Sequence, residues 1–438
     1  MNYVQRGFFW IAVYLCLVLM PLFVLLLAPG PSGSGLWWDF SIALGFAGTS
    51  MMAAMFVLTA RFRRPSAPFG IDLVYYFHRW IALVLFVFIA AHPAILVFLE
   101  PGLLGELQPS VISWHMLAGV ISVVALTLLL LTSLWRQQLK IHYDGWRIWH
   151  ALLSITALLL AIVHIEGVGN YVSSPWKRLL WAAISASCLA VLLYARLVKP
   201  MLLLRHPYRV QQVVKERGRA WTLVLRPEGH SGFPFKPGQF VWLTLGNSPF
   251  ALKEHPFSIS SSAMQSQTIE LTIKELGDFT RRIKEVSPGQ TAYLDGPYGA
   301  FSVDRHPSSD YVFIAGGIGI APIMGMLRTL ADRGDGRSLL LFYAYNTWED
   351  LTFQEELENL KGRLDLKIVY ILDNPPEDWQ GESGFITDDL LTRHLPSGFK
   401  HYQYYLCGPI VMTAFVEKAL RRQGVPLPQI HSELFNLA

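Results

Sequence analysis

Long apolar runs fill the first 200 residues of the chain, and a different pattern follows them. About 20 apolar residues span the hydrocarbon core of a bilayer as a helix. Six runs reach that length, at residues 8–29, 37–60, 73–98, 111–134, 147–167 and 177–198. The first is longer than the apolar part of a usual signal peptide, and no soluble domain follows it directly. The pattern therefore predicts six membrane-spanning helices.

From Tyr208 onward the apolar residues occur in short alternating stretches, separated by turn sequences such as FKPGQ and SPGQ. Such stretches are typical of strands, and between residues 207 and 304 they predict a small antiparallel barrel. From about residue 310 buried strands alternate with helices, which predicts a doubly wound sheet. The expected domains are 1–204, 205–305 and 306–438.

The basic residues predict the orientation of the membrane domain. Cytoplasmic connections carry an excess of Lys and Arg. The connections after the second and fourth runs contain Arg61, Arg63, Arg64, Arg136, Lys140 and Arg147. Residues 30–36 and 99–110 contain neither Lys nor Arg, and Lys177 and Arg178 are the exception to the rule. We therefore expect a multi-pass protein of the plasma (inner) membrane, with both termini and the soluble half in the cytosol.

Composition adds two exclusions. The 438 residues carry a formal charge of +4 in scattered positions, which gives no support for nucleic-acid binding. Three cysteines, Cys16, Cys188 and Cys407, cannot form a disulfide framework.

Four histidines lie inside the apolar runs, where ionisable residues are rare and usually functional. His78 and His92 are 14 residues apart, and so are His150 and His164. Fourteen residues make nearly four helical turns, so each pair shares one helix face at opposite ends of a span. The two helices run in the same direction. His78 therefore matches His150 in depth near the cytosol, and His92 matches His164 near the outer face.

Neutral imidazole is a common ligand of iron. The matched depths predict two stacked haems, each held by two histidines. The alternative is four unrelated side chains that neighbouring helices satisfy. His115, at the depth of His92, is expected beside the outer haem, either as a propionate partner, as an acceptor-site residue or as a competing ligand. The alternative is an unrelated contact between helices. Arg79 is either a propionate partner of the inner haem or a snorkelling side chain.

Several motifs follow in the soluble half. HPFS occupies 255–258, and GDFT at 277–280 opens an expected amphipathic helix that runs to Val286. DGPYG occupies 295–299, GGIGIAP 316–322 and CGP 407–409. GDFT by itself is also compatible with a simple helix cap.

In this order the motifs resemble those of the NADPH oxidase and ferric reductase superfamily, and the resemblance covers nearly the whole chain. It implies a multi-domain membrane protein with a six-helix transmembrane bundle that holds two haem b groups. After this bundle it implies a ferredoxin-reductase-like antiparallel β-barrel that binds FAD. An α/β domain that binds NADPH or NADH would come last.

The resemblance also implies roles for individual residues. Phe257 would contact the isoalloxazine ring, Ser258 would lie near its N5, and Phe435 would stack on the flavin. The expected catalytic residues are Ser258, Cys407 and Phe435. The expected cofactor-binding residues are His255, Pro256, Phe257, Ser258, Gly277, Asp278, Phe279, Thr280, Gly296, Pro297, Gly316, Gly317, Gly319, Pro322, Cys407, Gly408, Pro409 and Phe435. The expected metal ligands are His78, His92, His150 and His164.

Two features depart from the family. Three residues follow Phe435, and YAYNTWED at 343–350 lacks the arginine that often meets the 2′-phosphate of NADP. NADH, or both nucleotides, is therefore favoured over strict use of NADPH.

The expected function is electron transfer from cytosolic NAD(P)H through FAD and two haems to an acceptor outside. Short outer loops favour O2, which would give superoxide. The alternatives are a ferric chelate, or a bound extracytoplasmic protein that receives the electrons.

Overall fold

The computed structural model describes residues 3–26, 35–62, 71–106, 108, 110–246, 248–251, 253–265 and 267–433. The chain divides near residue 200 into two compact units, and each is described by itself. The finer domain boundaries at residues 204 and 305 stay predictions.

The first unit is helical, as its apolar runs predict. Its long helices are α1 (Tyr3–Leu26), α2 (Leu36–Thr59), α3 (Ile71–Leu99), α4 (Trp114–Leu134), α5 (Tyr143–Val168) and α6 (Pro175–Leu193). Helix α5 ends at Gly169, whose φ of 69° suits a residue without a side chain. Helix α6 continues through a π-helical turn, Tyr194–Val198, into the short helix Lys199–Leu204.

Five segments of the described chain are long and apolar enough to cross a membrane, at Leu36–Thr59, Val74–Leu99, Trp114–Leu134, Tyr143–Val168 and Pro175–Leu204. The apolar helix found within α1 covers only Gly7–Met20, which is too short for this criterion. The membrane-type helical region is thus present, and the sixth span stays a prediction.

Helices α4 and α5 pack closely along their length. Small side chains permit this approach, because Ala125 and Ala157 are both buried between larger neighbours. The Ser122 hydroxyl donates across the pair to the carbonyl oxygen of Ala157, 2.7 Å away. This contact aligns the helix that carries His150 and His164 with α4.

The second unit begins with an antiparallel sheet of six strands, β1 (Tyr208–Glu216), β2 (Ala220–Pro227), β3 (Phe240–Leu245), β4 (His255–Ser258), β5 (Ile269–Lys274) and β6 (Thr291–Tyr298). Their order is β4-β3-β6-β1-β2-β5. The expected antiparallel strands are therefore present. The two edges of the sheet meet at a single bridge between Ile259 and Leu271, and a continuous ladder does not close the barrel.

A parallel sheet follows, with strands β7 (Tyr311–Gly316), β8 (Leu339–Tyr345), β9 (Leu366–Leu372), β10 (Glu382–Ser383), β11 (Gln403–Cys407) and β12 (Ile430–Glu433). Their order is β10-β9-β8-β7-β11-β12. The helices of this second unit are α7 (Asp278–Arg281), α8 (Ile320–Asp332), α9 (Gln354–Leu360), α10 (Asp388–His394) and α11 (Ile410–Arg422).

The strand order reverses at β7. Strands β8, β9 and β10 follow one another on one side of β7, and β11 and β12 lie on its other side. This is the doubly wound arrangement that the sequence predicts, and the reversal is where such sheets bind dinucleotides. The carboxyl ends of β7 and β11 carry Gly316 and Cys407, so two of the expected cofactor motifs meet at one edge.

Candidate functional site

The four membrane histidines form the two pairs that their spacing predicts. The rings of His78 and His150 have centroids 6.2 Å apart, with an interplanar angle of 49°. The rings of His92 and His164 have centroids 6.4 Å apart, with an angle of 64°. Metal–imidazole bonds are about 2.0–2.1 Å long, so two imidazoles that bind one metal from opposite sides through Nε2 have centroids roughly 6 Å apart. Each pair therefore has the spacing of two imidazoles that would hold one iron between them.

Clusters of three or more His, Cys, Asp or Glu side chains that suit a metal ion are absent from the described residues.

Hydrogen bonds to Nδ1 orient three of the four rings. Nδ1 of His92 lies 3.0 Å from the carbonyl oxygen of Ser41, and Nδ1 of His164 lies 3.0 Å from that of His115. A carbonyl oxygen only accepts, so these nitrogens carry the proton and Nε2 keeps its lone pair. Nδ1 of His150 lies 3.2 Å from the Ser133 hydroxyl. In the described part of the chain, Nδ1 of His78 is buried without a partner.

Two glycines make room for the His92–His164 pair. A Cβ atom on Gly45 would lie 3.2 Å from Cγ of His92, and one on Gly119 would lie 2.7 Å from Nδ1 of His164. Ser41, Gly45, Gly119 and Ser133 were not singled out from the sequence. Glycines inside apolar helices are a signal that points to close packing, and Gly45 and Gly119 could have been found on that ground.

His115 lies beside the His92–His164 pair. Its carbonyl oxygen accepts a hydrogen bond from Nδ1 of His164, and its Nε2 lies 3.0 Å from the Ser113 hydroxyl. His115 is thus a neighbour of His164, whereas its place beside an outer haem and its role there stay predictions. Arg79 is exposed on α3.

The HPFS motif forms strand β4, which pairs with β3. The ring of His255 stacks on Phe279, with centroids 3.9 Å apart and planes 23° apart. Phe257 lies nearly parallel to Phe279 at 6.0 Å. Ser258 is buried, and its hydroxyl has no hydrogen-bond partner among the described residues. The structure therefore brings HPFS and GDFT together as an aromatic wall with an unsatisfied hydroxyl, which suits a flavin ring.

The helix that begins in the GDFT motif is shorter than expected. The prediction of an amphipathic α-helix that runs to Val286 is wrong. Helix α7 ends at Arg281, and a 3₁₀ turn, Ile283–Glu285, follows it. The Thr280 hydroxyl accepts from the backbone amides of Leu276 and Gly277, both at 2.8 Å. The motif thus caps its own turn.

The GGIGIAP and CGP motifs adjoin each other because β7 and β11 are neighbours, with Ala315 opposite Cys407. A Cβ atom on Gly319 would lie 2.2 Å from the carbonyl oxygen of Cys407. One on Gly316 would lie 2.6 Å from Sδ of Met412. The contact at Gly319 is with backbone, so the GGIGIAP and CGP segments approach this closely only because glycine stands at that position. Helix α8 then starts at Ile320, with Pro322 in its first turn.

The DGPYG motif lies at the end of β6, beside β3. The Tyr298 hydroxyl donates to Oδ1 of Asp295 at 2.6 Å. Glu433, at the end of β12, is opposite Cys407 and is buried. A Cβ atom on Gly299 would lie 3.4 Å from Oε1 of Glu433.

The sequence did not single out Glu433, because its neighbourhood is formed by strands far apart in the chain. Phe435, which was expected to stack on the flavin, lies outside the described residues.

Three family models match the chain in succession. A model described as the ferric reductase like transmembrane component matches residues 44–161. An FAD-binding domain model matches residues 221–302. A model of the oxidoreductase NAD-binding domain matches residues 313–418.

Curated relatives match about half of the chain. The reductase subunit of glycine betaine monooxygenase from Chromohalobacter salexigens is 28% identical over 238 residues. The match covers 53% of this chain and 64% of that subunit, so the chain spans just under two thirds of it. Sulfhydrogenase 2 subunit gamma from Pyrococcus furiosus is 30% identical over 220 residues, which are 47% of this chain and 74% of that subunit.

A solved structure of a cytochrome P450 reductase from Amycolatopsis is also similar. It is 25% identical, with a TM-score of 0.47, and the match covers 52% of this chain and 69% of that one.

Proposed function

The chain belongs to the NADPH oxidase and ferric reductase superfamily, and we propose that it passes electrons from cytosolic NAD(P)H through FAD and two haem b groups to an acceptor across the membrane. The succession of matched domains makes it a membrane oxidoreductase that depends on NAD(P)H and FAD. The observation that carries the haem proposal is the pairing of His78 with His150 and of His92 with His164, at 6.2 and 6.4 Å.

The chain's own residues would hold the nucleotide and the flavin as follows. Gly316 and Gly319 leave room for protein atoms of the CGP region, whereas a Cβ atom on Gly317 would have nothing within 4 Å. The pyrophosphate would therefore lie at Gly317 in the β7–α8 turn, where free amides favour an anion. Cys407 and Glu433 are buried side by side at the adjoining sheet edge. Phe257 and Ser258 provide an apolar face and a hydroxyl for the flavin. A bound flavin supplies the conversion between a hydride and single electrons.

The membrane unit would hold the two haems on α3 and α5. The His78–His150 pair is assigned to the cytosolic side and the His92–His164 pair to the outer side, on the orientation that the basic connections predict. This orientation, a plasma-membrane location and a sixth span at α1 are part of the proposal. Gly45 and Gly119 leave the outer imidazoles room to lie against their neighbouring helices.

For the acceptor we favour O2, with superoxide as the product. The connections on the outer side are short, and O2 needs no shaped pocket. A ferric chelate would need one, and a protein acceptor would need a docking surface. Both remain as the alternative functions that the experiment below separates from the oxidase.

The nucleotide site favours NADH. Oδ1 of Asn346, just after β8, accepts from Nδ2 of Asn374 at 2.7 Å. Residues 346–350 contain no arginine or lysine, and Glu349 and Asp350 carry negative charge. A 2′-phosphate at this strand end would therefore lack a forked cation and would meet carboxylates.

Aerobic turnover of the purified protein with cytochrome c, with and without superoxide dismutase, tests the choice of acceptor. Reduction that dismutase abolishes is expected. Reduction that is insensitive to dismutase would exclude superoxide as the carrier and favour direct transfer to a protein. Turnover with a ferric chelate under nitrogen measures the ferric reductase activity.

The haem assignment has a separate test. We expect His92→Ala to lose one haem per chain, measured as Soret absorbance per protein, and His206→Ala, in the connection to the second unit, to lose none. Unchanged haem content in His92→Ala would contradict the assignment. A flavin reductase on a haem-free bundle would show no Soret band in the wild type.

A further inference from the structure

Helix α8 links the two cofactor regions of the second unit. It begins directly after GGIG, and its later turns lie on the segment that follows the HPFS strand. A Cβ atom on Gly325 would lie 2.5 Å from the carbonyl oxygen of Ile259. The Thr329 hydroxyl accepts from the amide of Ala263 at 2.9 Å. The nucleotide loop and the flavin strand are thus attached to the two ends of one helix.

Arg328 on this helix binds the flavin sheet. Its Nη1 donates to the carbonyl oxygen of Ser260 at 2.8 Å and to Oε2 of Glu270 at 2.7 Å. Ser260 is fully buried and stands two residues after Ser258. The guanidinium therefore holds the backbone immediately beyond the hydroxyl that is expected near the flavin.

The same guanidinium binds the parallel-sheet domain. Nε and Nη2 donate to the two carboxylate oxygens of Glu356, at 2.7 and 2.6 Å, in the forked geometry that gives the strongest ion pairs. Its Cζ lies 5.1 Å from the ring centroid of Phe353. Phe353 has a φ of 63°, a backbone conformation that is costly for an aromatic residue. The side chain of Arg328 is only 17% exposed.

Carboxyl groups surround Arg328, so its positive charge is needed to hold them together. Glu270 approaches it from the flavin sheet and Glu356 from α9. Glu216 on β1 is a third carboxyl group close by, and burial raises its pKa, although Arg328 and the Thr222 hydroxyl oppose the rise. Without the guanidinium, Glu270 and Glu356 would repel each other across the contact between the two sheets.

We propose that Arg328 is a positioning residue for hydride transfer, which fixes the nicotinamide-binding edge of the parallel sheet against the flavin strand of the antiparallel sheet. The inference rests on transfer of a hydride from NAD(P)H to FAD and does not depend on the haems. The hydrogen bonds and the ring contact of Arg328 described above are with Ser260, Glu270, Glu356 and Phe353. Arg328 would therefore act on the distance between the β7–α8 loop and the HPFS strand.

The test uses the full-length protein in detergent, with ferricyanide as an acceptor that takes electrons from the flavin. NADH and NADH deuterated at the transferred position are compared. For Arg328→Met we expect kcat to fall on the order of tenfold, because small displacements of reacting groups are expensive in rate. The deuterium isotope effect on kcat should rise, because hydride transfer becomes more fully rate-limiting, while the KM for NADH changes less than kcat.

Two further variants keep the test decisive. Arg328→Lys retains the charge without the fork and should fall between wild type and Arg328→Met. Arg363→Met is the matched control, since Arg363 pairs with Asp332 at the end of the same helix but is 54% exposed. It should behave as wild type.

A kcat within about twofold of wild type for Arg328→Met would overturn the proposal. A lower rate with an unchanged isotope effect, in both Arg328→Met and Arg328→Lys, would also overturn it, because a loss of folded protein produces that result. If the wild type does not reduce ferricyanide with NADH, the failure lies in the proposed function and not in Arg328. Missing haem would leave this assay unaffected.

Discussion

Gly119 on α4 faces Nδ1 of His164 on α5 so closely that a Cβ atom would lie 2.7 Å from it. The carbonyl oxygen of His115, one turn earlier on α4, binds the same nitrogen. Helix α4 therefore both orients this imidazole and leaves it space.

The first prediction follows from this contact. Gly119→Ala should displace the His164 ring and weaken the His92–His164 site, so that haem content falls towards half while the other haem is retained. Haem per chain and a redox titration measure the effect. Gly145→Ala, at a glycine on α5 with nothing within 4 Å of the added Cβ, is the control. Two haems with unchanged potentials in Gly119→Ala would contradict the prediction.

The second prediction concerns the meeting of GGIGIAP with CGP. Gly319→Ala would place its Cβ 2.2 Å from the carbonyl oxygen of Cys407, and backbone cannot move as easily as a side chain. We expect a rise in the KM for NADH of at least about tenfold, with FAD content retained. Gly336→Ala, in the same domain but in open space, should leave the KM unchanged. Equal values in the two variants would show that Gly319 does not shape the nucleotide site.

The third prediction concerns the choice of nucleotide. The wild type should use NADH with a higher kcat/KM than NADPH, because residues 346–350, which follow β8, contain no arginine or lysine. Asn346→Arg should raise the ratio of NADPH to NADH efficiency on the order of tenfold, by pairing with the 2′-phosphate. Asn346→Ala removes the contact with Asn374 without adding a charge, and its ratio should stay near wild type. A wild type that prefers NADPH would refute this assignment.

The fourth prediction concerns pH. Burial lowers the pKa of His431 to about 3, and His306, stacked on it at 3.8 Å, contributes. Between about pH 6.5 and pH 3 the unfolded chain takes up a proton that folded His431 excludes, so stability is lost as the pH falls through this window. The loss is at most ~1.4 kcal/mol per pH unit.

His431→Phe keeps a ring beside Tyr405 and removes the titration. Its thermal midpoint, followed by flavin fluorescence, should drop less than that of wild type between pH 7 and pH 5. The same drop in both proteins would argue that His431 does not set the acid sensitivity.

The sequence predicted much of the fold, for local reasons. The spacing of 14 residues in α3 and α5 depends only on helix geometry, so the pairs His78–His150 and His92–His164 could be foreseen. The glycine motifs are equally local, because each belongs to one turn. The helix through Val286 was wrong because amphipathic spacing does not reveal where a short turn ends.

Other parts of the site could not be predicted, because they depend on contacts between distant segments. Glu270 and Glu356 converge on Arg328 from two sheets, and no sequence interval records that meeting. Glu433 becomes part of the site only because β12 lies beside β11. Ser41 acts through its carbonyl oxygen, which every residue possesses.

The stacking of His255 on Phe279 restricts how related sequences can diverge. The two rings lie 3.9 Å apart although their positions are separated by 24 residues in the chain. A substitution of one by an aliphatic residue removes this close stacking contact from the other ring. The two positions should therefore change together during evolution, and a lineage that loses the aromatic residue at one of them should also replace the other.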